Sequence, residues 1–460
     1  MLRFYDTAKR AKVDFVPRVE GHVSMYVCGA TPYSEAHLGH GRKEVVFDTI
    51  RRYLLWRGFA VTYVSNVTDI EDKIIARAAE AGTTESELVR TFEVDFARAF
   101  DRLNIQKPDE EPRATEWIAE MIALIVELID RGHAYAVEGQ GVYFAVESLA
   151  EYGGLSHRSV ADLLESAGAR VDVDEKKRSP VDFALWKTAK PGEPSWDSPW
   201  GMGRPGWHIE CSAMALKILG DGFDIHGGGD DLVFPHHENE IAQAIGAGHE
   251  FAHYWLHNGM VNVDGEKMSK SLGNWTTLND VLDRHDPRAF RMIVLQTHYR
   301  RQMELGDKEL ADAAKAVARL DALVRRARVE KVDVVDVTTE LDDFRAVMDD
   351  DFDTPAAIAL IFEWVRDANT ALDSGDATLA GALIGKVRAA TEVLGLVLDD
   401  SEPAADDAIA QLVQQRNDAR AAKDWAEADR MRDEISARGF VIEDTANGTT
   451  WRRRRPDEEG

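Results

Sequence analysis

The stretch from residue 23 to residue 67 restricts the fold more than any other part of the chain. Residues 23–28 (VSMYVC) form a short, nearly continuous apolar run that stops at Gly29, the pattern of a strand buried on both faces. Apolar residues Val45, Val46, Ile50, Tyr53, Leu54 and Leu55 then recur at helical spacing, and Gly58 supplies a stop. Residues 61–67 (VTYVSNV) return to strand character. Two strands separated by a helix read as a βαβ unit, hence as a parallel pair. A parallel sheet receives its ligands at the carboxyl ends of its strands, so Cys28 and His37 are expected at that edge.

The remaining pattern extends this unit into an α/β chain of several parts. Residues 70–131 are mostly helical in pattern. An insertion at about 116–200 carries short strands such as 141–146 and the turn-rich run PGEPSWDSPWG. Sheet-like signals return at 222–226, ahead of Gly227, Gly228 and Gly229, and residues 236–246 read as a helix. Residues 1–305 are therefore expected to form a Rossmann-type parallel-sheet catalytic domain with a connective insertion and a loop at about 260–275. Residues 306–400 read as a helical bundle with few glycines. After the acidic run SEPAADD, residues 401–460 should form a small C-terminal α+β module. It comprises a helix pair, strands near 440–442 and 449–451, and the basic tail Arg452, Arg453, Arg454 and Arg455.

At 460 residues the chain is too long for a single core. Its composition, 44% hydrophobic and 30% charged, is that of a soluble protein, and no apolar run is long enough to span a membrane. The opening MLRFYDTAKRAKVDF lacks the apolar core of a secretory signal, and two cysteines cannot build a disulfide framework, so a cytoplasmic location is expected. The net charge of −27 excludes a general nucleic-acid coat. Selective contact through a local basic surface stays open, at the tail or along the stripe Arg416, Arg420, Lys423 and Arg430.

In HLGH, His37 and His40 flank Gly39 at the expected start of the first helix. Outward amides and the helix dipole favour an anion there, Gly39 permits close backbone approach, and two imidazoles can donate to phosphate oxygens. In VDGEKMSKSLGN, Lys267 and Lys270 sit in a Gly-bounded loop able to close over a pyrophosphate. An isolated HxGH is more often a surface turn, and two lysines are usually a solvated loop; their co-occurrence favours phosphate handling. Cys28, Cys211, His236 and Glu240 offer two sulfurs, an imidazole and a carboxylate, a donor set suited to Zn2+. Two buried core cysteines are the plain alternative, but their polar neighbours in CGATPY and GWHIECSAM favour ligands. His237 and Glu238 are expected beside the ligands or in solvent, and His208 and His226 fit either a satisfied core role or support of a ligand. A triple glycine alone says little; with Asp230 and Asp231 nearby, Gly229 and Asp231 become candidates for ATP contact, the aspartate toward ribose hydroxyls. Trp207 suits the core as well as a substrate side chain.

Taken together, MYVCGATPYSEAHLGH, NVTDIEDKI, PGWHIECSAM, DIHGGGDDLVFPHHENEIAQ, NGMVNVDGEKMSKSLGN, DDDFDTPAAIA and GFVIEDTANGTTWR resemble the cysteinyl-tRNA synthetase family of class I aminoacyl-tRNA synthetases, nearly end to end. The resemblance implies zinc-dependent activation of L-cysteine with ATP and transfer to the 3′-terminal ribose of tRNA(Cys). Mg2+ would accompany ATP, with one Zn2+ per chain and a monomeric enzyme. It implies that Cys28, Cys211, His236 and Glu240 hold the zinc and that Lys270 binds ATP alongside the signature histidines His37 and His40. Thr31, Thr68 and Trp207 would line the amino-acid pocket, and the terminal module would bind the anticodon. Two strings depart from the family pattern, HLGH for HIGH and CGATPY for CGPTVY. A cysteine ligase of mycothiol biosynthesis, which passes cysteine to an amino sugar, resembles the catalytic half. It lacks a carboxylate matching Glu240 and the terminal module. Intact motifs oppose an inactive RNA-binding homologue, and the lack of an HExxH-type base opposes a zinc hydrolase.

Overall fold

After an antiparallel hairpin, β1 (Arg3–Asp6) with β2 (Ala11–Asp14), the chain forms the parallel unit β3 (His22–Ala30), α1 (Leu38–Trp56) and β4 (Ala60–Val67). Val23, Met25, Tyr26 and Val27 are all buried, which explains the missing alternation: β3 is covered on both faces. In this computed structural model the described residues are 1–162, 177–263, 266–267, 277–337, 341–400, 407–445 and 448–453. The chain divides into two compact units, one of Met1–Asn279, His298–Met303 and Met348–Asp353, the other of Asp280–Thr297, Glu304–Val347 and Thr354–Gly460.

In the first unit, α2 (Asp72–Ala81), α3 (Glu85–Arg102) and α4 (Ile118–Asp130) supply the helical stretch. Their ends are encoded locally: Gly82 closes α2 in the left-handed conformation, and Thr84 with Glu87 forms a capping box at the start of α3. The insertion is an antiparallel sheet ordered β5 (Ala134–Val137), β6 (Gly141–Phe144), β7 (Phe183–Thr188) and β8 (Gly203–Pro205). Leu128, Phe144, Trp186 and Ile209 pack in one cluster, so this sheet shares its core with α4 and with α5 (Trp207–Leu219). Next come β9 (Ile225–Gly229), α6 (Glu238–Ala247) and β10 (Tyr254–Asn258). The parallel sheet runs β10–β9–β3–β4. The chain leaves β3 for β4 on one side, while β9 pairs on the other. The carboxyl ends of β3 and β9 therefore flank a topological switch point, where such sheets open a crevice.

Two local expectations shift. The strand read at 222–226 lies at Ile225–Gly229, so the triple glycine is the strand end itself. A Cβ on Gly227 would fall 2.3 Å from the Phe47 ring, and one on Gly228 would fall 2.8 Å from the His237 ring. These two glycines allow the Phe47 and His237 rings to pack against the strand. The helix read from residue 236 begins at Glu238, because His236 and His237 belong to a wide turn, Val233–His237.

The second unit is largely helical, with Pro287–Gln296, Asp307–Val329, Thr354–Asp373 and Ala377–Val393 burying Phe290, Leu320, Ile361 and Val387. Farther on, Asp407–Ala421 and Trp425–Ala437 pack with the hairpin of Phe440–Thr445 and Gly448–Arg453 around Ile409, Leu412, Met431 and Ile435. The basic stripe is largely neutralised within this module. Arg416 grips both Asp444 oxygens at 2.8 and 2.7 Å, Arg420 adds a third contact at 2.6 Å, and Arg430 pairs with Glu427. Residues 401–406, Arg454 and Arg455 lie outside the described residues. Among the described residues no helix is long and apolar enough to cross a membrane.

The hydrogen bond from Arg416, helped by Thr449 and the Arg420 charge, holds the Asp444 carboxyl well below the usual carboxylate range. Its stabilisation is therefore complete above the unfolded value of about 3.9 and is lost as pH falls below it. Because the pair is partly exposed, Asp444→Asn should cost about 1 kcal/mol. Hydrogen-exchange mass spectrometry at neutral pH should then show roughly fivefold faster exchange across residues 440–453.

Candidate active site

β3 carries Cys28 toward the switch point, and α5 presents Cys211 a little over one turn from its start. The turn before α6 and the first turn of α6 add His236 and Glu240, and all four side chains are buried. One donor atom from each lies within 4.8 Å of every other. Cys28 Sγ is 3.8 Å from Cys211 Sγ and 3.5 Å from Glu240 Oε1, and His236 Nε2 is 2.9 Å from the same oxygen. Ligands on a tetrahedral ion with bonds of about 2.0–2.3 Å stand roughly 3.3–3.8 Å apart. The two sulfur contacts fall in that range, the His236–Glu240 pair lies closer and would have to open, and the donor set matches zinc in softness.

Neighbouring groups aim these ligands. His226 Nε2 meets Glu240 Oε2 at 2.7 Å, which leaves Oε1 turned to the centre. His208 Nδ1 meets His236 Nδ1 at 2.8 Å. With the His236 Nε2 lone pair turned to the centre, its Nδ1 carries the proton and donates to His208. Trp207 stacks on His236 at 4.1 Å between ring centroids. Asn66 Oδ1 accepts the Gly29 N–H at 3.0 Å and lies 3.7 Å from Cys211 Sγ. Gly29 admits no side chain, since a Cβ would fall 1.5 Å from the Asn66 carbonyl oxygen. The Lys43 ammonium, buried in α1, donates to the Cys28 carbonyl at 2.8 Å and pairs with Glu44 at 2.7 Å.

The electrostatics suit a cation. A hydrogen bond from Cys28, aided by His236, brings the Cys211 thiol down to about 6 despite its burial. Burial alone would lower His236, but the Glu240 charge and a hydrogen bond to Cys211 carry it up to about 10. Burial, with the neighbouring Cys211 sulfur, pushes the Cys28 thiol well up. Glu240 is held well below its ordinary value because His226 and His236 outweigh its burial. Sulfurs and a carboxylate this close and this buried are costly to ionise together unless a cation lies among them.

The HLGH string has a local logic of its own. His37 is the N-cap of α1 and forms a reciprocal capping box with His40. The His40 N–H donates to His37 Nδ1 at 3.3 Å, and the His37 N–H donates to His40 Nδ1 at 3.1 Å. The rings stack at 3.6 Å. Both Nδ1 atoms accept a backbone N–H, so each ring carries its proton on Nε2. Burial, with His37 and Lys43 close by, keeps His40 well below its ordinary value. A Cβ on Gly39 would sit 3.0 Å from the His37 ring, so glycine lets that ring fold back over the helix start.

A cavity of about 460 Å3 joins these features. Cys28, Thr31 and Trp207 line it beside the ligand cluster, His37, Gly39 and His40 at the start of α1, and Gly229 and Asp231 on another wall. Thr68 does not line it; this residue is buried, and its hydroxyl accepts the Asn66 amide at 3.3 Å. Glu238 is not in solvent either, since its carboxylate accepts the N–H groups of Gly153 and Ser156 at 2.9 and 2.7 Å. His237 is buried and bonded to His257 at 2.8 Å. The Lys267 backbone lies in the strand Glu266–Lys267, while its side chain and all of Lys270 fall outside the described residues. Asn66 and Lys43 are functional neighbours that no motif in the sequence announces. The polar Asn66 within an apolar strand was a readable signal, but nothing in GRKE marks Lys43 as buried.

Known proteins match this chain over most of its length. Residues 14–315 match the family model described as tRNA synthetases class I (C) catalytic domain, 343–399 the DALR domain, and 402–452 the cysteinyl-tRNA ligase anticodon binding domain. A cysteine–tRNA ligase of Methylobacillus flagellatus is 50% identical over 463 residues, covering 98% of this chain and 100% of the relative. One of Histophilus somni is 49% identical over 462 residues, with 98% and 100% covered. Among solved structures, Mycobacterium tuberculosis methionyl-tRNA synthetase in complex with methionyl-adenylate shares the fold, with a TM-score of 0.59 over 81% of this chain and 89% of that one at 17% identity.

The ligand cluster makes a graded prediction for metal affinity. Cys211→Ser should abolish stoichiometric zinc binding, read by elemental mass spectrometry. His226→Gln, which only releases Glu240 Oε2, should weaken zinc by roughly 10–100-fold in competition with a chelator.

Proposed function

The chain belongs to the cysteine–tRNA ligase family of class I aminoacyl-tRNA synthetases, and we propose that it activates L-cysteine with ATP and transfers it to the 3′-terminal ribose of tRNA(Cys). The observation that supports this best is the shared cavity, with a buried soft-metal donor set beside one part and a pair of neutral Nε2–H donors beside another.

Cys28, Cys211, His236 and Glu240 would hold Zn2+, a soft cation that would favour the substrate side chain as thiolate. Serine differs by a single atom, and an apolar pocket separates near-isosteres by only about 10²-fold. A thiol with a pKa of about 8.5 ionises far more readily than a hydroxyl, so a sulfur-selecting site needs no editing step. Thr31 and Trp207 bound the amino acid, and Thr68 acts through Asn66 to steady the β3–β4 ends. The cysteine carboxylate attacks the α-phosphate of Mg2+-bound ATP in line, giving the adenylate and pyrophosphate. His37 and His40 donate Nε2–H to the phosphate oxygens without losing a proton. Gly39 and Gly229 allow close approach of the nucleotide, Asp231 accepts from the ribose, and Lys267 and Lys270 neutralise the departing pyrophosphate. A terminal ribose hydroxyl of tRNA then takes the acyl group. Residues 306–400 contact the tRNA body and residues 401–460 its anticodon, in a cytoplasmic monomer.

The test is charging. Zinc-loaded protein, ATP, radiolabelled cysteine and a tRNA(Cys) transcript should yield acid-precipitable cysteinyl-tRNA, and labelled serine should not. Cysteine-dependent pyrophosphate exchange without charging would move the acceptor to an amino sugar. Lys270→Ala should slow adenylate formation by about 10²-fold in single-turnover kinetics while cysteine affinity holds.

A further inference from the structure

We propose that Arg42 is a positioning residue for ATP, because its guanidinium holds together the wall of the cavity against which the base lies. This rests on the adenylate-forming function proposed above. Arg42 stands on α1 two residues beyond His40 and has no exposure to solvent. Buried arginines are ordinarily matched to a carboxylate. This one is spent on backbone carbonyls. Nη1 donates to Met260 at 2.6 Å, while Nη2 donates to Tyr299 at 3.2 Å and also to Arg301. Burial lowers the group to about 10, with the Asp230 charge acting against that shift, so it stays cationic at neutral pH.

The carbonyls come from two segments that Arg42 draws together. Asn258, Gly259, Met260 and Val261 line the cavity just beyond the carboxyl end of β10. The residues around Tyr299 and Arg301 back them: Gly259 N–H donates to Tyr299 at 2.8 Å, and Met303 N–H donates to Met260 at 3.0 Å. The contact is so close that a Cβ on Gly259 would fall 2.4 Å from the Arg301 oxygen. The ligand cluster claims the region near Cys28 and Trp207, and the histidine pair claims the phosphates. With Asp231 on another wall assigned to the ribose, the wall at Asn258–Val261 is left for the base, at the strand ends where such sheets bind nucleotides. One helix thus carries the phosphate donors and, two residues later, the group that places this wall. A forked, planar donor is required to span two segments; a lysine offers a single point charge.

The test uses the zinc-loaded full chain with Arg42→Ala and Arg42→Lys. ATP affinity is measured by calorimetry, and KM for ATP and for cysteine by pyrophosphate exchange, with zinc content and melting temperature recorded alongside. Arg42→Ala should weaken ATP binding and raise its KM by about 30-fold while the KM for cysteine moves less than about threefold. Arg42→Lys should lose about tenfold, and it carries the test if the alanine variant does not fold. Added guanidinium ion should restore part of the ATP affinity of Arg42→Ala and leave wild type unchanged. Parallel losses for ATP and cysteine, or a folded Arg42→Ala that guanidinium does not rescue, would overturn the proposal. Wild type that binds ATP without cysteine-dependent exchange would refute the adenylation reading, while the affinity comparison still decides Arg42.

Discussion

Glu240 has no contact with solvent, and a carboxylate in that position survives only among donors and cations. Its two oxygens divide those partners. Oε2 takes the His226 imidazole from β9, and Oε1 faces Cys28 of β3 and His236 of the adjoining turn. One side chain on α6 therefore ties together the two strands that flank the switch point. The other imidazoles nearby are kept uncharged: burial holds His208 and His237 well below their ordinary value and takes His257 down to about 3.

At the start of α1 the backbone plays the corresponding role. An N-cap is ordinarily a hydroxyl or a carboxylate; here two imidazoles cap the helix and each other. The same hydrogen bonds that satisfy the helix start also fix the tautomer. The spacing of the two histidines is thus a requirement of helix termination as much as of catalysis, and Gly39 lets the stacked rings fit.

The parallel core was legible because strands buried on both faces leave continuous apolar runs, and VSMYVC and VTYVSNV are such runs. The four donors were legible because two cysteines in polar strings have few structural uses. What stayed hidden depends on partners remote in sequence. The spacing of Arg416 and Arg420 reveals a helical face but not Asp444, which lies 28 and 24 residues further on. Glycines at 227 and 228 look the same to a reader of sequence whether they admit a phosphate or the Phe47 and His237 rings. Arg42 and Lys43 sit in a polar run near the start of the expected helix with nothing to mark them as buried, yet each is held by carbonyls brought from elsewhere in the fold.

The strand order also has a consequence for synthesis. β3 ends at Ala30 and its neighbour β9 begins at Ile225, a separation of 225 − 30 = 195 residues. At ribosomal speeds of about 5–20 residues per second, β3 waits roughly 10–40 s for that neighbour. During that interval the nascent chain holds a strand that is apolar on both sides and can pair only with β4. Until β9 arrives, that edge of β3 is open to another copy of the chain.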